Sequence, residues 1–322
     1  MRSLLADIGG TYARFAVLCD DELGPIHRLD VRAFPGFGPA LRSLLENHPE
    51  MPPIDAAILA VAGPVEQWAC RLTNSPWVID ATELKREFGF ATVRLVNDLE
   101  AVGMSLPHLR PDELHLLGPN RASAEHPIAV LSPGTGLGMA CRLPSGRVVA
   151  SEGGHATLAA GSDREAALIG ALRRRYGHVS IERVLSGDGL VNLYREIAIL
   201  DARECATRTA PEITAAALSG SCPISREAVD IFCAFLGAAA GDVALFFGAR
   251  SGVFIGGGIV PGIVGCLERS DFRRRFEDKG RFQPYVAAIP AMVVLRPDPA
   301  FLGLTALAGV DARRCRDRRV DG

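Results

Sequence analysis

This 322-residue sequence has no excess of charge, no metal-spaced cysteine pair and no uncharged run of membrane length, and each absence excludes a class of function. Its 35 basic and 37 acidic residues leave a net charge of −2, with no footprint for nucleic acid or an anionic membrane. The expected partner is therefore a small molecule. The eight cysteines (19, 70, 141, 205, 222, 233, 266, 315) form no C-x-x-C and no Cys/His pair at ligand spacing. Several lie inside apolar runs, as Cys233 does in Ile231-Phe232-Cys233-Ala234-Phe235, and read as reduced, buried thiols of a cytoplasmic protein. Asp7 interrupts the first apolar stretch, so no signal peptide is expected. The most apolar long stretch, 224–247, carries Arg226, Glu227, Asp230 and Asp242 and reads as a buried helix. No low-complexity tract or long linker divides the chain.

What is present is two glycine-threonine turns, each joining one apolar run to another. The first is Asp7-Ile8-Gly9-Gly10-Thr11, between Leu4-Leu5-Ala6 and Phe15-Ala16-Val17-Leu18. The second is Gly134-Thr135-Gly136-Leu137-Gly138, between Ile128-Ala129-Val130-Leu131 and Met139-Ala140-Cys141. Glycine lets backbone N–H groups approach an anion, and threonine adds a hydroxyl donor. One such turn is an ordinary hairpin. Two in the same setting suggest a duplicated domain gripping one polyphosphate from both sides.

The length suits two domains, and 48% hydrophobic with 22% charged residues suits substantial cores. Strand and helix patterns alternate throughout, which predicts α/β domains with mixed sheets. Strands are expected at 56–61, 93–96, 128–131, 138–143, 147–150, 252–255 and 291–295. Helices are expected near 40–45, from Thr82 (as N-cap) to Phe88, from Asp98, from 163 after a Ser162–Glu165 capping box, and from Pro299. Gly89 and Gly177 stop two of them. The arginines from Arg313 to Arg319 read as a solvated helix end. The boundary is placed near Pro107, with 1–107 plus 298–322 forming a small α/β domain and 108–297 a larger one.

Asp7, at a strand end beside the first turn, can hold Mg²⁺ through water or simply bond its own turn. Asn97-Asp98 lies at a strand–helix junction, where ligands of open α/β sheets collect. Asp98 there can take a proton from an attacking hydroxyl, although either residue can also be a plain helix cap. Glu152-Gly153-Gly154-His155 offers an acid and an imidazole suited to neighbouring sugar hydroxyls; His155 can equally be a structural histidine. Glu182 reads as another polar ligand or as an exposed first-turn glutamate after Ser180.

In order, these segments resemble the bacterial glucokinases of the hexokinase-like, actin-type ATPase superfamily. Thr73-Asn74-Ser75-Pro76-Trp77, His178–Gly189, Phe254–Pro261 and Phe276–Phe282 extend the resemblance over nearly the whole chain. It implies duplicated actin-like (ribonuclease H-like) domains with an active-site cleft between the smaller and the larger. It implies ATP-dependent phosphorylation of glucose, with Asp98 as base and Asn74, Asn97, Asp98, Glu152, His155 and Glu182 on the sugar. ATP phosphates fall to Ala6–Thr11 (Ala6, Asp7, Ile8, Gly9, Gly10, Thr11) and to Gly134, Thr135 and Gly136. The adenosine half falls to Gly256-Gly257, and Mg²⁺ to Asp7. A cytoplasmic homodimer is implied as well. The sequence departs from the pattern at Tyr12, at Ser132-Pro133 and at Ala156 and Leu158.

Three other readings compete. A kinase of another hexose or amino sugar of the zinc-bearing type would show a cysteine cluster after its histidine, but 156–204 holds none. A sugar-responsive regulator would add a DNA-binding segment, whereas this sequence opens on the phosphate hairpin. An actin-like or chaperone ATPase would not need Glu152, His155 and Glu182.

Overall fold

The computed structural model describes residues 2–119 and 125–320, the side chains of 310–320 excepted. The expected solvated arginines at 313–319 thus lie outside the described side chains. The chain divides into two compact units, Met1–Leu109 with Arg296–Gly322, and Arg110–Leu295.

In the first unit, β1 (Ser3–Ile8) pairs antiparallel with β2 (Tyr12–Cys19), which carries β3 (Glu22–Leu23) and β4 (His27–Asp30). After helix α1 (Phe37–Asn47), β5 (Ala56–Val61) lies parallel to β1. All six residues of β5 are buried, as expected of a central strand covered on both faces. A small antiparallel sheet follows, β6 (Val65–Glu66), β7 (Ala69–Arg71) and β8 (Val78–Asp80). Helix α2 (Ala81–Phe88) leads into β9 (Thr92–Asn97), parallel to β5, and β9 runs directly into α3 (Asp98–Ser105).

The second unit opens with β10 (Leu114–Leu117), then the antiparallel strands β11 (Ile128–Pro133), β12 (Leu137–Arg142) and β13 (Val148–Ser151). Helices α4 (Asp163–Tyr176), α5 (Gly187–Leu200), α6 (Ala210–Leu218) and α7 (Pro223–Phe247) precede β14 (Val253–Ile255). The short helices α8 (Val264–Arg269), α9 (Phe272–Glu277) and α10 (Gln283–Ala287) lead to β15 (Ala291–Val294). The sheet order β13-β12-β11-β14-β15 repeats β3-β2-β1-β5-β9 strand for strand, with the same two antiparallel and two parallel pairings. Both sheets are mixed, as the alternating pattern predicts.

Helix α7 is long and apolar enough to cross a membrane by length and composition, yet its most apolar window is 67% buried inside the structure. Two of its charges form ion pairs: Glu227 meets Arg164 at 2.8 Å and Asp242 meets Lys279 at 2.8 Å. Its Cys233 thiol is pushed up to about 12 by burial, which makes it an inert core group. The seven described cysteines are all free thiols.

Three local expectations need correction. Asp80, not Thr82, caps α2, accepting from the N–H groups of Thr82 and Glu83 at 2.7 and 3.0 Å. A carboxylate two positions earlier satisfies two orphan donors where a hydroxyl satisfies one. The capping box of α4 is only half formed. Ser162 accepts from the Glu165 N–H, but the Glu165 carboxylate turns to Gly161 N–H and to Arg275 at 3.0 Å. Both members of that pair are 5% exposed, and a buried guanidinium needs its counter-charge more than a solvated cap does. Ser180 makes no side-chain cap.

The C-terminal helix Pro299–Val320 packs along α3, and it can do so because Gly303 lies on the Ala101 carbonyl, where a Cβ would collide with backbone. Gly303→Ala is expected to lower the unfolding free energy by about 1–3 kcal/mol, as overpacking does. Urea denaturation reads this directly, and an unchanged midpoint would contradict the contact.

Candidate active site

In the first unit the β1–β2 turn is closed by Gly9 N–H donating to the Tyr12 carbonyl at 3.0 Å. Ala6, Asp7 and Ile8 are the last residues of β1, and Gly10 and Thr11 form the turn with Gly9. A Cβ on Gly10 would stand 2.8 Å from the Asn74 Cβ, so glycine is what lets the exposed Asn74 lie against this turn. Thr73 N–H donates to the Ala62 carbonyl, and the next carbonyl, Gly63, receives the Asn97 Nδ2 at 3.1 Å. Hydrogen bonds and packing thus link the phosphate hairpin, Asn74 and the end of β9.

Asn97 is the N-cap of α3, its Oδ1 accepting from Leu99 N–H at 2.9 Å, and Asp98 Oδ1 accepts from the same N–H at 2.9 Å. The capping role foreseen for this pair is therefore present. It engages one oxygen of Asp98, and the residue stays half-buried.

In the second unit the loop Gly134-Thr135-Gly136 is closed by Gly134 N–H donating to the Gly136 carbonyl at 2.8 Å, with Thr135 exposed at its tip. The Gly134 carbonyl accepts from Gly187 N–H at 2.8 Å, which ties the loop to the start of α5. Gly257 adopts φ +84°, and a Cβ there would collide with the Pro133 carbonyl. Gly256 N–H donates to the Leu131 carbonyl at 2.8 Å, so the Gly256-Gly257 turn borders the phosphate loop.

Glu182 and the Glu152–His155 segment meet at the start of β12. Glu182 Oε2 accepts from Leu137 N–H at 2.8 Å, and Gly154 lies on the Leu137 carbonyl, with no room for a Cβ. Ile181 N–H donates to the Ala156 carbonyl at 2.9 Å, and Thr157 bridges to Ser180. His178 Nε2 lies 3.2 Å from the His155 carbonyl. Glu152 and His155 themselves are exposed and Glu182 is half-buried. The three polar residues foreseen as sugar ligands are thus brought onto one set of backbone contacts beside the second glycine-threonine loop. Glu182 is not the solvated first-turn glutamate of the simpler reading, because one oxygen braces the loop.

The charge at the first hairpin was not foreseen. Asp7 Oδ2 accepts from Arg14 Nη1 at 3.1 Å, and Arg14 Nε reaches Asp298 Oδ1 at 3.0 Å. Burial pushes the Asp7 carboxyl above its ordinary range, the Arg14 guanidinium opposes this, and the nearby Asp298 adds to the rise. Asp298 has φ +47°, immediately before Pro299. Its sequence context marked only a helix start. Arg14 precedes the apolar run Phe15–Leu18 and carried no expectation of its own. At the divergent position, the Tyr12 ring is covered by the Arg28 guanidinium, 3.5 Å from its centroid.

Among the described residues no group of three or more His, Cys, Asp or Glu side chains could cage a metal ion. A single carboxylate such as Asp7 fits Mg²⁺, which keeps most of its waters and takes phosphate oxygens for the rest.

A model of the family described as Glucokinase matches residues 4–310. The glucokinase of Paramagnetospirillum magneticum is 44% identical over 310 residues, covering 94% of this chain and 96% of the relative. That of Aromatoleum aromaticum is 42% identical over 328 residues, with 95% and 96% covered. A crystal structure of glucokinase from an Antarctic psychrotroph superposes with a TM-score of 0.80 at 35% identity, over 96% of this chain and 99% of that one. A ROK-family glucokinase from Streptomyces griseus, solved with glucose and AMPPNP, shares the fold at a TM-score of 0.67 and 18% identity, over 95% and 99%. With a family model across nearly its whole length and relatives above 40% identity, this chain belongs to the glucokinase family.

Proposed function

We propose that this chain transfers the γ-phosphoryl group of ATP to the 6-hydroxyl of D-glucose, giving glucose 6-phosphate and ADP at the entry to glycolysis. Family membership supports the reaction, and the observation that carries the mechanism is Asp98 held at the N-terminus of α3 beside Asn97. In this reading the Asp98 carboxylate accepts the O6 proton as O6 bonds to the γ-phosphorus. The bond from that phosphorus to the bridging oxygen breaks in line, and its electrons leave on ADP. Asn97, Asn74, Glu152, His155 and Glu182 orient the sugar hydroxyls. Residues 6–11 and 134–136 hold the phosphates, and Gly256-Gly257 borders the adenosine. Asp7 would hold a hydrated Mg²⁺ that neutralises the β- and γ-phosphate charge.

The repeated strand order supports reading the units as duplicated actin-like halves, small (1–107 plus 298–322) and large (108–297), with the active-site cleft between them. The sugar ligands would then come from both halves, and closure over glucose would exclude water as a competing acceptor. The protein is taken as a cytoplasmic homodimer that binds neither nucleic acid nor membrane.

The purified protein with MgATP is expected to form glucose 6-phosphate, and coupled ADP release across glucose, mannose, fructose, galactose and N-acetylglucosamine measures the preference. No product from folded protein would overturn the reading. Asp98→Asn keeps size and capping ability but removes the proton acceptor. Its kcat should fall by roughly two to four orders of magnitude, with glucose affinity much less changed. Near wild-type turnover would instead make Asp98 a cap only.

A further inference from the structure

The ion triad at the first hairpin has an arrangement that simple pairing of Asp7 with Arg14 does not explain. Arginine and aspartate left to themselves favour a two-pronged pair, with both guanidinium edges on both carboxylate oxygens. Here Arg14 gives Asp7 one nitrogen, Nη1, onto one oxygen, Oδ2, at 3.1 Å. Its Nε is taken by Asp298 Oδ1 at 3.0 Å. The charges also matter. Asp7 and Arg14 alone would cancel, whereas two carboxylates around one guanidinium leave a single net negative charge beside the phosphate turn. All three side chains are partly shielded, at 18%, 29% and 35% exposure, so solvent screens that charge only in part.

Asp298 sits where a backbone preference would not put it. Its φ of +47° is left-handed, a conformation that costs a non-glycine residue free energy, and the following Pro299 restricts it further. The strain is held by the C-terminal helix, anchored on α3 through Gly303 and Ala101.

We propose that Asp298 is a positioning residue for the metal–nucleotide end of the site. By holding Arg14 through Nε it keeps the Arg14–Asp7 contact one-pronged, leaving Asp7 an oxygen for a hydrated divalent cation carried by the nucleotide. This deepens the Mg²⁺ role given to Asp7 above and rests on it.

Asp298→Asn tests the inference, because asparagine also tolerates the left-handed conformation and keeps the size while losing the charge. Calorimetric titration with MgADP, with ADP in EDTA and with adenosine needs no turnover. The variant is expected to bind MgADP about tenfold more weakly, the worth of one charge-assisted contact, with adenosine binding unchanged and a thermal midpoint near wild type. In an Arg14→Ala background, the same Asp298→Asn change should add little, since the residue it acts through is gone. Wild-type MgADP affinity in Asp298→Asn, an equal loss for adenosine, or simple additivity with Arg14→Ala would each overturn the inference. A wild-type protein that binds MgADP but leaves glucose unphosphorylated would end the proposed function and leave this inference standing.

Discussion

The first unit depends on the return of the C-terminal helix to α3. Gly303 against Ala101 sets how closely the two helices approach, and that contact fixes elements at both of the helix's neighbours. Asp98 is the first residue of α3, so the helix backs the proposed base. Asp298 stands just before the helix and reaches Arg14 and, through it, Asp7. One packed element from the far end of the sequence therefore supports both Asp98, the proposed proton acceptor, and the first glycine-threonine hairpin. Rigid backing of this kind is what a catalytic carboxylate requires, because small misplacements are costly in rate.

The second unit solves the matching problem with backbone contacts. The Gly134–Gly136 loop is braced by Gly187 N–H on the Gly134 carbonyl and by the Glu182 carboxylate on Leu137 N–H, and Gly257 abuts the Pro133 carbonyl. Glu182 and Gly154 converge on Leu137, so the Glu152–His155 segment and the second glycine-threonine loop share one anchor.

Much of this was legible beforehand because it is local. The buried run Ala56–Val61, the two glycine-threonine hairpins and the stops at Gly89 and Gly177 follow from periodicity and backbone preference over a few residues. Asn97-Asp98 was readable as a junction pair for the same reason. Misreadings arose where a distant partner outbid a local one. Glu165 leaves its capping box for Arg275, 110 residues away; the bond from Leu137 N–H to Glu182, across 45 residues, was equally beyond local reach. Asp80 in place of Thr82 is a smaller miss, within the one or two residues by which helix starts are blurred.

The sequence by itself determined the α/β alternation, the two glycine-threonine turns and the identity of the polar residues beside them, since each rests on short-range geometry. Only the tertiary structure decided the equal strand order of the two sheets and which charges meet. Arg14, Asp7 and Asp298 come from opposite ends of the chain, and no periodicity records a pairing that arises when the last helix folds back onto the first sheet.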